Sequence, residues 1–356
     1  MKSQPATQPT TPTAENSAKQ PLTFSTPAAC LRAFFIYPVY RVVMPQIELQ
    51  AENLRVQIDS TLGAGIGDLS LRSPRGNWTP LLRRAPSPAS DPEQLACFIM
   101  MPWPNRVHGA RFTWQGRDCQ LDANGPDGSA IHGEVRTRPW KIRHRTPQSA
   151  VLAFDTRDHD GLRFPWDYRA RVRYEVSPTG LDVDLSLTNI SDTPGPFGMG
   201  LHPYFMRRLW ADDDAVQLRL PVTGHYPAEN CIPTGEPAAD DLCRALSAGG
   251  PVDGDPLDDL FTVDGFEAEL AWPTSGVRMR MTTSETATHA MVYTPRAAPG
   301  SKSPASWFCV EPMTMATDAV NFDEQCRTTS GLRTLAPGES MQLDANITAE
   351  AADNRS

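Results

Sequence analysis

The feature that most constrains this chain is a period of two. In Leu54-Arg55-Val56-Gln57-Ile58-Asp59 alternate side chains are apolar, so an extended backbone puts Leu54, Val56 and Ile58 on one face and their polar neighbours on the other. The pattern returns at Tyr168 to Val176, with Arg169, Arg171 and Arg173 outward, and at Leu181 to Leu187, with Asp182, Asp184 and Ser186 outward. Ser177-Pro178-Thr179-Gly180 joins these two runs as a hairpin. Further alternation marks Val216 to Leu220, Phe266 to Trp272, Val277 to Met281 and Met341 to Ile347. Helical periodicity is scarce, and 34 prolines and 24 glycines punctuate the runs, which argues against long helices. Strands recurring without alternating helices predict an all-β chain, a large antiparallel β-sandwich rather than a parallel α/β fold. The Ala-, Gly- and Asp-rich stretch from Ala238 to Asp255 reads as a long loop.

The first 43 residues differ from the rest. They open with a Thr-, Pro-, Gln- and Ala-rich stretch lacking the aliphatic residues that offset the entropy of ordering, so a disordered N-terminal extension is expected there. Leu31 to Met44 is apolar in places, but it carries Arg32 and Arg41, is too short to span a bilayer and sits too late for a signal peptide. The expected organisation is an extension over 1–43, one β-sandwich domain over 44–350 and a tail over 351–356. A formal net charge of −9 argues against non-specific binding to nucleic acid or an anionic membrane. The expected partner is a small molecule, with the chain a monomer or weak homodimer. Seven scattered cysteines, none in a C-x-x-C pair, suggest neither a disulfide framework nor a zinc knuckle and fit the reducing cytoplasm.

Three segments place a proton-transfer group among glycine, proline and aromatic residues instead of within an alternating run. They are Asn124 to Gly133, ending in Ile131-His132-Gly133; Gly198 to Phe205, where glycines and a proline hold His202 in a bend; and Trp307 to Thr314, an apolar strand end carrying Glu311. Taken singly, each histidine also fits a satisfied turn residue, and Glu311 also fits a structural salt bridge. A carboxylate following Trp-Phe-Cys-Val is nonetheless costly to bury without a partner or a task.

Together the segments resemble the galactose mutarotase, or aldose 1-epimerase, family, over about Met44 to Ala349. Asn105-Arg106 with Gly109, Phe112 and Gly116 resembles its Asn-Arg segment, and His132-Gly133 with Trp140 its first histidine segment. Gly200-Leu201-His202-Pro203-Tyr204-Phe205 is the most specific match. Glu311-Pro312-Met313-Thr314, with Asp318 and Asn321 downstream, resembles the catalytic-glutamate segment, and Leu332 to Ser340 the approach to the final strand. Ile131-His132-Gly133-Glu134 departs from the galactose-acting members, which marks a divergent bacterial-type branch and leaves the preferred sugar open.

The resemblance implies a mutarotase of free aldoses such as glucose or galactose. Glu311 would be the base at the anomeric hydroxyl and His202 the acid at the ring oxygen, with the roles reversed on reclosure. His132 would bond the ring oxygen or a neighbouring hydroxyl, and Arg106 would bind a hydroxyl or steady a carboxylate. Of the acidic pair Asp258-Asp259, Asp258 is the expected sugar ligand. No metal, nucleotide or covalent intermediate is implied, and Trp103, Trp140 and Phe205 could cover a sugar face or pack the core.

Three alternatives stay open. A hexose-6-phosphate 1-epimerase would need cations, for which Arg136, Arg138 and Lys141 are candidates unless they form the polar face of a strand. A non-catalytic carbohydrate-binding protein would keep the pocket without turnover. A metal-dependent hydrolase would use His132, His202 and Glu311 as ligands, although their spacing carries no metal signature. The remaining histidines, His108, His144, His159, His225 and His289, read as surface or structural. The Asp212-Asp213-Asp214 run reads as a solvated loop, with a calcium site conceivable.

Overall fold

The alternating runs become strands of two antiparallel sheets, with ten and nine strands among the described residues. The computed structural model describes residues 46–322 and 328–351, so the expectation for 1–43 lies outside the described residues. Ala351, assigned above to the tail, instead ends the last strand, Ser340–Ala351.

The nine-stranded sheet runs, in spatial order, Lys141–Arg145, Ser149–Asp155, Tyr168–Val176, Gly180–Asn189, Ser340–Ala351, Val277–Thr283, Glu267–Trp272, Gln217–Arg219 and Gly250–Pro251. Its central strands bury one face. Tyr168, Ala170, Val172, Tyr174 and Val176 point inward while Arg169 and Arg171 stay exposed. The hairpin register Val176↔Leu181 follows from the Ser177 turn, closed by the Ser177 N–H donating to the Gly180 carbonyl at 2.8 Å.

The ten-stranded sheet has its centre in Cys97–Met100, Gly200–Met206, Trp307–Met313 and His289–Tyr293, followed by Asp258–Thr262. Here both faces are covered, and almost every residue is buried. One hydrophobic cluster joins the two sheets. Segment 101–140 is tied down by backbone bonds, among them Glu134 N–H to the Met101 carbonyl (2.8 Å) and Trp140 N–H to the Ser60 carbonyl (2.7 Å).

Two further readings of the fold need correction. The expected loop over Ala238 to Asp255 contains a helix, Asp241–Ala248, capped by Asp240, whose carboxylate accepts the Cys243 N–H, and ended by Gly249 at φ 82°. Leu242, Ala245 and Leu246 give it an apolar stripe that composition alone conceals. The Asp212–Asp214 run is not wholly solvated: Asp214 is buried and accepts from the Ser275 N–H (2.9 Å), the Ser275 hydroxyl and the Leu209 N–H (3.3 Å).

Candidate active site

Gly200–Met206 is a strand, not the bend expected for His202, and its neighbours set the site. It pairs with Trp307–Met313 in the register Gly200↔Met313 and Tyr204↔Cys309, which puts His202 opposite Glu311; on its other side His202 pairs with Phe98. The result is a row across the sheet: Phe98, His202, Glu311 and Met291. His202 Nε2 lies 3.2 Å from Glu311 Oε1, and both side chains are almost fully buried. The His202 ring stacks against Phe98 (centroids 4.5 Å apart) and Tyr204 (4.6 Å), so it has little freedom to rotate.

His132 reaches the same place by a different route. It and Gly133 both take left-handed backbone conformations, φ 63° and 69°. A Cβ at Gly133 would lie 1.9 Å from the Met101 carbonyl oxygen, so the chain can cross Met101 here only with glycine after the histidine. The crossing aims the His132 ring edge-on at His202, with centroids 5.0 Å apart. Its Nδ1 sits 3.0 Å from Met100 Sδ. A thioether has no proton to give, so this contact is attractive when Nδ1 carries the hydrogen, which leaves the Nε2 lone pair for the cavity.

Arg106 is held on three sides, by Asn105 Oδ1 (3.2 Å), Asp127 (3.3 Å) and Asp258 (3.9 Å). Its backbone is braced by the segment following Glu311. The Asp318 N–H donates to the Arg106 carbonyl (2.7 Å), while Asp318 Oδ1 accepts from the His108 N–H (2.8 Å) and the Asn321 amide (2.7 Å). Asp318 and Asn321, downstream of Glu311, thus fix the arginine loop.

These groups line a cavity of about 660 Å³, large enough for a monosaccharide with water. All five expected site residues (Glu311, His202, His132, Arg106 and Asp258) meet in it. Asp259 turns away to His225, which also contacts Asp240. Sequence reasoning missed Glu93, Arg83, Trp307 and Tyr293, which complete the wall, and gave Tyr204 no role. Arg83 lies over the rings of Tyr204 (3.7 Å) and Trp307 (4.8 Å), so a basic residue far away in sequence organises the aromatic side. Trp103, Trp140 and Phe205 are buried core residues outside this wall. Of the candidate phosphate ligands, Arg136 lines the cavity, bonded to Glu93 at 2.7 Å, whereas Arg138 and Lys141 lie outside it, Lys141 pairing with Asp158.

Burial dominates the electrostatics. Desolvation, reinforced by the negative charges of Asp258 and Glu93, pushes the Glu311 carboxyl well above the usual carboxylate range. Desolvation, with Arg136 and Arg83 nearby, pulls His202 down to about 3, and burial also keeps His132 neutral. Among the described residues, no protein group hydrogen-bonds Glu311 Oε2 or His202 Nδ1. His202, Cys309 and Glu311 could offer ligand atoms within 4.8 Å of one another, and burial holds the Cys309 thiol well above its usual pKa.

A β-sandwich whose cavity gathers a buried carboxyl–imidazole pair, an arginine and a further carboxylate has the lining of a carbohydrate-acting class of protein. The model of the family described as aldose 1-epimerase matches residues 45–348, and the chain belongs to that family. The uncharacterised Escherichia coli K12 protein YphB is 29% identical over 286 residues, covering 77% of this chain and 91% of that one. Among solved structures, a galactose mutarotase-like protein from Clostridium acetobutylicum superposes with a TM-score of 0.74 at 19% identity, covering 85% of this chain and 94% of that one. A GalM/aldose epimerase homologue from C. elegans gives 0.71 at 17% identity, with 87% and 99% covered. At those identities the structural likeness speaks for the fold. No described helix is long and apolar enough to cross a membrane.

Proposed function

We propose that this protein is a mutarotase, interconverting the α and β anomers of a free aldohexose such as glucose or galactose. The observation that carries the reading is the opposed His202–Glu311 pair, which together holds one exchangeable proton across 3.2 Å. Burial favours the arrangement in which that proton rests on Glu311 and both groups are neutral. Moving it to His202 makes the ion pair that ring opening needs, with no change in the number of bound protons.

The reaction then balances within the pair. The Glu311 carboxylate takes the proton from the anomeric hydroxyl, the C1–O bond to the ring oxygen breaks, and His202 gives its proton to that oxygen. The open aldehyde faces the same neutral pair that the empty site favours. Rotation about the C1–C2 bond and reversal of both transfers close the other anomer. His132 lines the cavity, and with Nδ1 protonated toward Met100 its Nε2 would accept from a sugar hydroxyl and not bond the ring oxygen, which can only accept. Arg106 and Asp258 would donate to and accept from further hydroxyls.

A neutral sugar fits better than a hexose 6-phosphate because acidic groups already offset the cavity's arginines. Arg136 pairs with Glu93 and Arg106 with Asp127; Arg83 donates to backbone carbonyls, among them that of Leu95 at 3.1 Å, but the same wall carries Asp91, Glu93 and Asp258, whose negative charge opposes a phosphate dianion. The test is polarimetry of freshly dissolved α-glucose, α-galactose and α-glucose 6-phosphate with and without the protein. Faster decay with a free sugar supports the proposal and ranks its substrates. Acceleration confined to the phosphate would replace it with the sister activity, and a folded sample inert toward all three would count against turnover.

A further inference from the structure

Glu93 lies in the short 3-10 turn Pro92–Gln94, whose Asp91 cap accepts the Glu93 N–H at 2.8 Å. Two different donors aim its carboxylate. Oε1 accepts from Arg136 Nη1 at 2.7 Å, and Oε2 accepts from the Tyr204 hydroxyl at 2.8 Å. Both donors are themselves fixed: Arg136 is buried with its guanidinium 5.3 Å from the Phe98 ring, and Tyr204 is stacked between His202 and Arg83. Yet the Glu93 side chain is 48% exposed and lines the cavity. A carboxylate has about four lone-pair positions, so roughly two remain to accept from a ligand.

Its position in the sheet adds a second constraint. The strand order runs from Cys97–Met100 through the His202 and Glu311 strands to His289–Tyr293 and then Asp258–Thr262. Glu93 leads into the first of these and Asp258 opens the last, so the two carboxylates flank the reacting pair from opposite sides. We infer that Glu93 is a specificity-determining residue, accepting a hydrogen bond from one ring hydroxyl of the aldose on the side of the pair away from Asp258. This rests on the mutarotase reading for the identity of the ligand. A carboxylate kept only to hold Arg136 would need neither the Tyr204 hydroxyl as a second anchor nor a place in the cavity wall.

The test compares wild type with Glu93→Gln on glucose, galactose and their monodeoxy analogues, measuring Kd by calorimetry and kcat and KM by polarimetry. A hydrogen bond to a charged acceptor predicts a rise of about 10- to 100-fold in Kd and KM for the parent sugar, with kcat within about threefold. For the one deoxy analogue that lacks the hydroxyl read by Glu93, wild type and variant should differ by less than about twofold. Tyr204→Phe keeps the ring stack and frees one side of the carboxylate; it should give a smaller rise with the same deoxy pattern, and it stands in if Glu93→Gln folds poorly. An equal loss for every analogue, or no loss for the parent, overturns the proposal. If wild type binds these sugars without turning them over, the mutarotase reading fails alone and the deoxy pattern still decides Glu93. If it binds none of them, both fall.

Discussion

Tyr168–Val176 and Gly200–Met206 are strands of similar length, in sheets that share a core, yet they differ in what lies on their outer faces. The first meets solvent there and alternates strictly; the second is covered on both sides and shows no period at all. A buried polar group is tolerated by the fold only where it is paired or used, so the strands with no solvent face are the ones that can hold His202 and Glu311 buried against each other. One sheet supplies stability through a repeated apolar face. The other holds the buried His202–Glu311 pair at the wall of a cavity.

The largest effect should come from Glu311→Gln. Removing the acid–base group should lower kcat by about 10²–10⁴-fold, while the melting temperature holds or rises because a costly buried carboxyl has gone. Full activity in a folded variant would refute the assignment of Glu311. On the other sheet, Leu185→Ala in Gly180–Asn189 should do the reverse. Deleting this buried side chain should cost about 2–5 kcal/mol in a denaturant titration, with kcat/KM per folded molecule unchanged. A fall in kcat/KM would show that the two sheets do not divide their tasks in this way.

The same division governs what was legible in the sequence. Leu54–Asp59 and Tyr168–Val176 coincide with their alternating runs to the residue, because one wet face imposes a period. Cys97–Met100 offers no period, and in Gly200–Met206 the residues Gly200 and Pro203 mimic a bend that pairing on both sides overrides. His202, Glu311, His132 and Arg106 could still be found, since their local chemistry sits in compact motifs. Glu93, Arg83 and Tyr293 carry no such signature; long-range register brings them to the wall, and no short stretch encodes it. The helix Asp241–Ala248 was readable from its Asp240 cap and terminal Gly249, but an Ala- and Asp-rich composition masked both.

A smaller effect should follow where the bracing of the arginine loop is cut. Asp318→Ala removes the acceptor for the His108 N–H and the Asn321 amide and puts alanine at a left-handed φ of 59°. Arg106 then loses its fixed position while the reacting pair stays intact, so KM should rise about 5- to 30-fold with kcat within about threefold. Asp318→Asn keeps an acceptor and tolerates that backbone, and it should restore most of the affinity. If instead kcat fell with KM unchanged in both variants, Asp318 would act on the pair and not on Arg106.

The smallest effect, and the one most specific to the sheet covered on both faces, is the pH dependence of stability. Burial raises the Glu311 carboxyl above its ordinary value of 4.5, so the folded protein holds that proton more tightly than the unfolded chain. The contribution of Glu311 is therefore complete below pH 4.5 and is lost progressively as pH rises toward the raised folded value. Glutamine does not titrate, so the melting temperature of Glu311→Gln relative to wild type should climb steadily from pH 5 to pH 8. The pull of His202 down to about 3 acts in the opposite direction, removing stability as pH falls from 6.5, but it is present in both proteins and cancels in the difference as long as the replacement leaves His202 neutral. Leu185→Ala, which alters no titrating group, should show a constant deficit across the same range. A parallel climb in Leu185→Ala would mean that the pH term belongs to the fold at large, and a flat difference for Glu311→Gln would mean that Glu311 is already ionised in the empty site.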